Sequence, residues 1–195
     1  MCLGSELIMR SGEADILFIP GAQPLDESHW QTRWRNRLAT GRFAAQPEHC
    51  ADFAAFRASL REALRAARRP VVIVGHSFGV LGLAHAAPQL VGDDLPQGLV
   101  RGAFLVSAPS ARAVAGTPGV DEAFAPAPTA PLPFPALLVA SRDDPHATYG
   151  DMEGMALDWG AQIVDAGASG HIDSASGHGP WPEGLMRFAA FLSKL

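Results

Sequence analysis

Three stretches of this 195-residue chain hold side chains whose types and spacing suit nucleophilic chemistry. The first is GHSFG at 75–79, where Ser77 stands between Gly75 and Gly79 directly after the apolar run VVIV. A G-x-S-x-G segment between a strand and a helix marks a strained turn that lifts a serine hydroxyl clear of the backbone. Flanking glycines let neighbouring backbone and the new helix pass without a Cβ clash. The N-terminal amides of that helix then face the site, where they can stabilise an oxyanion. The second stretch, ALLVASRDDPHATYG (136–150), delivers Asp143 and Asp144 just beyond another apolar run. The third, VDAGASGHIDSASGHGPWPEG (164–184), carries His171 and His178 on a glycine- and serine-rich loop.

A serine hydroxyl becomes a useful nucleophile only when a base takes its proton, and an imidazole base needs a carboxylate to orient it. Serine, acid and histidine occur here in an order that supports such a triad, each after a predicted strand. The residues alone do not separate Asp143 from Asp144, and they slightly prefer His171 to His178 because His171 lies closer to the preceding strand. His76 lies inside the turn and cannot readily face the Ser77 hydroxyl, so packing or a backbone hydrogen bond is its expected role. His85 falls on the next helix as a packed or surface residue, and His29, His49 and His146 have no motif around them. The expected oxyanion donors are the N–H of Phe78 and, from FIPGAQPLDESHWQTRW (18–34), the N–H of Ala22 beside the tight turn at Gly21.

These groups need a scaffold. ILFI (16–19), VVIV (71–74), AFLV (103–106) and ALLVA (136–140) are apolar without alternation, which is the pattern of strands covered on both faces of a parallel sheet. A weaker strand is expected at 161–167. Between them lie helical patterns: Phe53, Phe56, Leu60 and Leu64 opposite an arginine stripe; the segment after Ser77 as far as Pro88; and 147–159, with Met152, Met155, Ala156 and Trp159 inward. In the C-terminal helix, Leu185, Phe188, Ala189 and Leu192 are expected to face the sheet. Alternating strands and helices give a doubly wound α/β domain with a mostly parallel sheet. Residues 116–135, rich in proline and alanine, read as a long surface loop. That loop and residues 22–34 are expected to bound the substrate pocket. Gln23 and Trp30 are its named candidates and Trp34 a further one, against the plain alternative that the tryptophans fill the core.

Composition narrows the setting. A hydrophobic content of 48% with 18% charged residues is that of a globular chain, and a net charge of −5 offers no general attraction to nucleic acid or anionic lipid. Cys2 and Cys50 are too few for a disulfide framework, which fits a reducing compartment. Glu6 and Arg10 interrupt the apolar start, and no run approaches the ~18–20 apolar residues of a membrane span, so a soluble cytoplasmic protein is expected.

FIPGAQ…HWQTRW, VVIVGHSFG, VASRDDP and GASGHIDSASGHGPWPEG together resemble the retinoblastoma-binding protein 9-like family of small serine hydrolases. The resemblance implies a single-domain, three-layer α/β-hydrolase fold without a large cap. It also implies Ser77 as nucleophile, Asp144 (the aspartate before Pro145) as acid and His171 as base, with a small ester or amide as substrate; acyl transfer to water by such a triad needs no cofactor or metal. Bacterial relatives often carry asparagine where this chain has Asp173, a carboxylate that would raise the pKa of His171 or point into solvent. No L-x-C-x-E segment is present, so a retinoblastoma-type partner is not expected. Three rival readings compete: a hydrolase scaffold kept as a binding module, a metal site at His171, Asp173 and His178, and nucleotide binding at the elbow. The complete triad argues against the first, the ligand spacing is irregular for the second, and GHSFGVLG lacks the phosphate-loop ending the third requires.

Overall fold

Strands made almost wholly of Ile, Leu, Val, Phe and Ala gain most when both faces are covered. In the computed structural model, which describes residues 9, 12–22, 25–44, 52–90 and 95–195, the four apolar runs lie side by side. They form β1 (Asp15–Ile19), β3 (Val71–His76), β4 (Val100–Val106) and β5 (Ala136–Ala140). The edges are β2 (Gly41–Phe43) and β6 (Gln162–Asp165). The order is β2-β1-β3-β4-β5-β6, and every neighbouring pair is parallel.

Strand alternation splits the core in two. Leu17, Ile19, Ile73, Leu105 and Leu138 face one layer, formed by α2 (Phe53–Arg65), α3 (Phe78–Ala86) and α5 (Tyr149–Trp159), with the short α4 (Ala111–Gly116) beside them. Ile16, Phe18, Val74, Phe104 and Val139 face the other, formed by α1 (Trp30–Arg37) and α6 (Pro182–Leu192). This is a single three-layer α/β domain without a large cap. The chain runs from β1 outward to β2 and then returns across β1 to β3. The sheet therefore has a switch point between the carboxyl ends of β1 and β3, where crevices open in such folds.

Four details depart from the pattern read in the sequence. Residues 30–34, expected as part of a 22–34 loop, belong to α1, whose exposed face is polar and whose apolar stripe is only Trp30 and Trp34. The strand β2 is three residues long and half-buried, so no apolar run announces it. In α6 the inward residues are Gly184, Phe188, Phe191 and Leu192, whereas Leu185 is 39% exposed and Ala189 is exposed. The reason is the close seat of Gly184 on Trp181: a Cβ there would lie 2.2 Å from the indole, and this contact sets the rotation of the helix. The 116–135 loop contains one 3₁₀ turn, Glu122–Phe124, and plugs fully buried Phe124 against Phe53, Phe56 and Phe78. Gly82 makes room for it, since a Cβ there would meet both Phe56 and Phe124 at under 3 Å. Gln23, His49, Cys2 and Cys50 lie outside the described residues. Among those described, no helix is long and apolar enough to cross a membrane.

Candidate active site

The elbow lies at the switch point. β3 ends at His76, and Ser77 takes φ 55°, ψ −129°, a strained conformation for a residue with a Cβ. Two backbone bonds hold it: the Ser77 N–H donates to Val106 O at 3.0 Å, and Ser77 O accepts the Val80 N–H at 2.9 Å. The two motif glycines are not equivalent. A Cβ on Gly79 would lie 2.5 Å from Pro20 O and 2.7 Å from Ile19 O, so glycine lets α3 start against the end of β1. A Cβ on Gly75 would meet Val80 at 3.4 Å, close to ordinary contact. Gly21 is approached closely too, though less tightly and by a side chain, since its Cβ would lie 3.0 Å from the Ser77 Cβ.

His171 Nε2 lies 2.9 Å from Ser77 Oγ, and His171 Nδ1 lies 3.0 Å from each carboxylate oxygen of Asp144. A carboxylate on Nδ1 keeps the proton there and leaves the Nε2 lone pair to accept the serine hydroxyl. The Asp144 side chain is fully buried, and its Oδ1 also accepts the His146 N–H at 2.9 Å. Asp143, inseparable from Asp144 in the sequence, points elsewhere. Its Oδ1 accepts the Gly170 N–H at 2.7 Å and the Ser141 hydroxyl at 2.8 Å, and these two bonds, the Gly170 one foremost, hold its carboxyl below the usual range. Asp173 accepts the Ser176 N–H and hydroxyl at 2.8 and 2.9 Å. Burial pushes its pKa up, but the Ser176 bonds and the positive influence of His171 and His29 together bring it lower than normal. His178 sits 3.2 Å from Ser176 Oγ and against the Trp181 ring. Among the described residues, no three His, Cys, Asp or Glu side chains are arranged to hold a metal ion.

A cavity of about 240 Å³ lies against Ser77, lined also by Ala22, Leu25, Phe78 and Ala175, with Thr117 contributed by the 116–135 loop. Four imidazoles line it: His29, His76, His146 and His171. Burial lowers the pKa of His29 to about 4. Burial, then the nearby His171, lowers those of His76 and His146. His29 also caps α1, its Nδ1 accepting the Gln31 N–H at 3.2 Å, so the neutral ring carries its proton on Nε2. The formal charge at the rim is therefore negative, from Asp26 and Asp173. The Ser28 hydroxyl bond is the main reason the Asp26 pKa falls to about 2. No lysine or arginine lines the cavity among the described residues.

Trp30, a pocket candidate from the sequence, does not line this cavity. It is fully buried under the site with Trp34 and Trp181, because α1 turns its apolar stripe inward. Its indole N–H donates to Ile172 O at 2.8 Å. Sequence reasoning also passes over Gln31, whose amide donates to Ile19 O and Val74 O at 3.1 Å and ties β1 to β3 beside the elbow. It likewise gives no site role to His29 and His146. The available signal is HWQTRW: a cap residue followed by two tryptophans one helical turn apart, with a glutamine on the sheet side.

The family model described as serine hydrolase matches residues 16–190. The chain belongs to the serine hydrolase family. This serine hydrolase is similar to a YdeN-like hydrolase from Pectobacterium atrosepticum, at 30% identity and a TM-score of 0.77 over 93% of this chain and 92% of that one. It shares its fold with the ydeN gene product of B. subtilis, at 15% identity and a TM-score of 0.69 over 92% and 99% of the two chains. It also shares the fold of the esterase domain of a Rhodothermus marinus protein, at 16% identity and a TM-score of 0.64 over 93% and 87%. No match is found among curated proteins. Together with the Ser77–His171–Asp144 geometry, family membership makes this a hydrolase of small ester or amide substrates.

The buried imidazoles give the hydrolase a definite acid sensitivity. With His29 near 4 in the fold and near 6.5 when unfolded, the unfolded chain binds more protons between those values. Stability is thus full at neutral pH and falls as the pH drops from about 6.5 through 4, by about 3 kcal/mol from His29 alone. His76 and His146 act in the same direction. Urea unfolding at pH 7.5 and 4.5 measures the loss, and His29→Asn, which keeps a helix cap, is expected to shrink it. An unchanged difference in that variant would contradict the assignment.

Proposed function

We propose that Ser77 is the nucleophile, His171 the general base and acid, and Asp144 the group that orients and stabilises His171. The continuous Asp144–His171–Ser77 hydrogen-bonded chain carries this reading. As Ser77 Oγ bonds to the substrate carbonyl carbon, its proton passes to His171 Nε2. The carbonyl oxygen becomes an anion facing the N–H groups proposed as its donors, those of Ala22 and Phe78. Collapse breaks the bond to the leaving group, which takes the proton from His171. Water then attacks the acyl-enzyme, giving its proton to the same nitrogen, and the acid departs as Ser77 regains its hydrogen.

We read the substrate as a carboxylic ester with a short acyl group. At about 240 Å³ the cavity is smaller than most ligand sites, which typically run ~300–1,000 Å³. The paired carboxylates at its rim disfavour an acyl group that ends in its own carboxylate. A p-nitrophenyl ester series tests this. Acetate and butyrate esters are expected to exceed octanoate in kcat/KM by at least tenfold, and a succinyl ester to be poor. A preference for octanoate would overturn the short-chain reading. The two-cysteine composition supports a cytoplasmic setting, the net charge of −5 speaks for a small-molecule acyl substrate rather than nucleic acid, and the lack of an L-x-C-x-E segment speaks against a retinoblastoma-type partner.

A further inference from the structure

We propose that His76 is a positioning residue for the reaction, gripping together with Trp30 the main chain that carries His171. The inference rests on His171 being the base. Three consecutive residues of the histidine loop are each held by a side chain from a different element. Asp143, from the loop after β5, accepts the Gly170 N–H at 2.7 Å. His76 Nε2 lies 2.9 Å from His171 O, and the Trp30 indole N–H donates to Ile172 O at 2.8 Å. A carbonyl only accepts, so the His76 Nε2 must carry the proton of this bond. The rings of His76 and His171 pack with centroids 4.9 Å apart.

The loop needs such restraint. His171 is flanked by Gly170 at φ 56° and Ile172 at φ 50°. Glycine adopts that region freely, but a β-branched residue does so only under constraint from its surroundings. The bonds to His171 O and Ile172 O lie on either side of that strained unit. His76 is also the residue immediately before Ser77, and the short turn that sets the nucleophile therefore also holds the backbone of the base. The 2.9 Å contact between His171 Nε2 and Ser77 Oγ is then fixed through one local link as well as through the sheet. A displacement of about 1 Å at such a contact is enough to cost roughly a hundredfold in rate.

The test compares His76→Leu, which keeps bulk but loses the donor, with His76→Gln, whose amide nitrogen can reach the same carbonyl, and with Trp30→Phe. For a short-chain ester, His76→Leu is expected to lower kcat by roughly 10- to 100-fold with KM within about threefold of wild type. His76→Gln should recover most of that loss, and Trp30→Phe should lose about three- to tenfold in kcat. The downfield proton resonance of His171 Nδ1–H should broaden in His76→Leu and sharpen again in His76→Gln. A folded His76→Leu with kcat within twofold of wild type overturns the proposal, as does a His76→Gln no better than His76→Leu. Should His76→Leu not fold, wild-type kcat in folded Trp30→Phe overturns the joint grip. A His171→Ala variant run alongside separates the two claims. Undiminished turnover there overturns the base assignment itself, whereas loss there with an unimpaired His76→Leu overturns the positioning role alone.

Discussion

His171→Ala is expected to lower kcat for ester hydrolysis by about 10⁵- to 10⁶-fold while leaving KM and the melting temperature near wild type. The size follows from what the imidazole does. In the proposed mechanism it removes the Ser77 proton as the carbon–oxygen bond forms and returns a proton to the leaving group, so both halves of the reaction would lose their proton carrier together. Asp144→Asn should cost less, about 10⁴-fold, because an amide facing Nδ1 favours the wrong tautomer but leaves a base in place. The double variant should be scarcely worse than His171→Ala, since Asp144 acts through His171. Additive losses in the double variant would mean that Asp144 has a separate function. The close bond from the His146 N–H to Asp144 Oδ1 makes a local structural part the first to examine.

Gly79→Ala is expected to have the largest effect on stability among the site substitutions. Its Cβ would meet main-chain oxygens of Pro20 and Ile19 at 2.5 and 2.7 Å, and backbone cannot swing aside as a flexible side chain can. Overpacking typically costs about 1–3 kcal/mol, and a clash with backbone belongs at or above the top of that range. For a chain of this size that corresponds to roughly 6–12 °C in melting temperature. The relief available is to push the end of β1 away from α3, and that strand end leads into Gly21 and Ala22, so activity should fall with stability. Gly75→Ala, whose Cβ would come to 3.4 Å of Val80, should change stability by less than about 1 kcal/mol. Equal effects from the two glycines, read by thermal melts and by ester turnover, would contradict the close seating of the elbow against β1.

This inequality shows where sequence reading stops. G-x-S-x-G announces a sharp turn, but which glycine is indispensable depends on how close β1 runs to α3, a distance set by the whole sheet. The inner strands were legible because burial on both faces demands uninterrupted Ile, Val, Leu, Phe and Ala. β2 was not, since a half-buried three-residue edge has no such demand. α1 is hard to read because its exposed face is Arg and Asn and its inward apolar stripe is only two tryptophans wide. Both aspartates leave the same strand end one residue apart, so nothing local to them tells which turns inward. The partners decide it, with Asp144 meeting the imidazole and Asp143 the Gly170 amide. Trp30 illustrates the converse. Its position shortly after β1 suggests a pocket wall, yet helical rotation carries it beneath the site, where its N–H donates to the histidine loop.

Intact mass after exposure to a fluorophosphonate, on wild type and on Ser77→Ala, tests the central claim most directly. The reagent is an acyl-transfer mimic that adds only to an activated hydroxyl, so it reports the assembled triad whatever the natural substrate is. One adduct on wild type and none on a folded Ser77→Ala is the predicted result. A folded wild type that takes no adduct, or a Ser77→Ala variant that is labelled as wild type is, would contradict the assignment of Ser77 as the nucleophile.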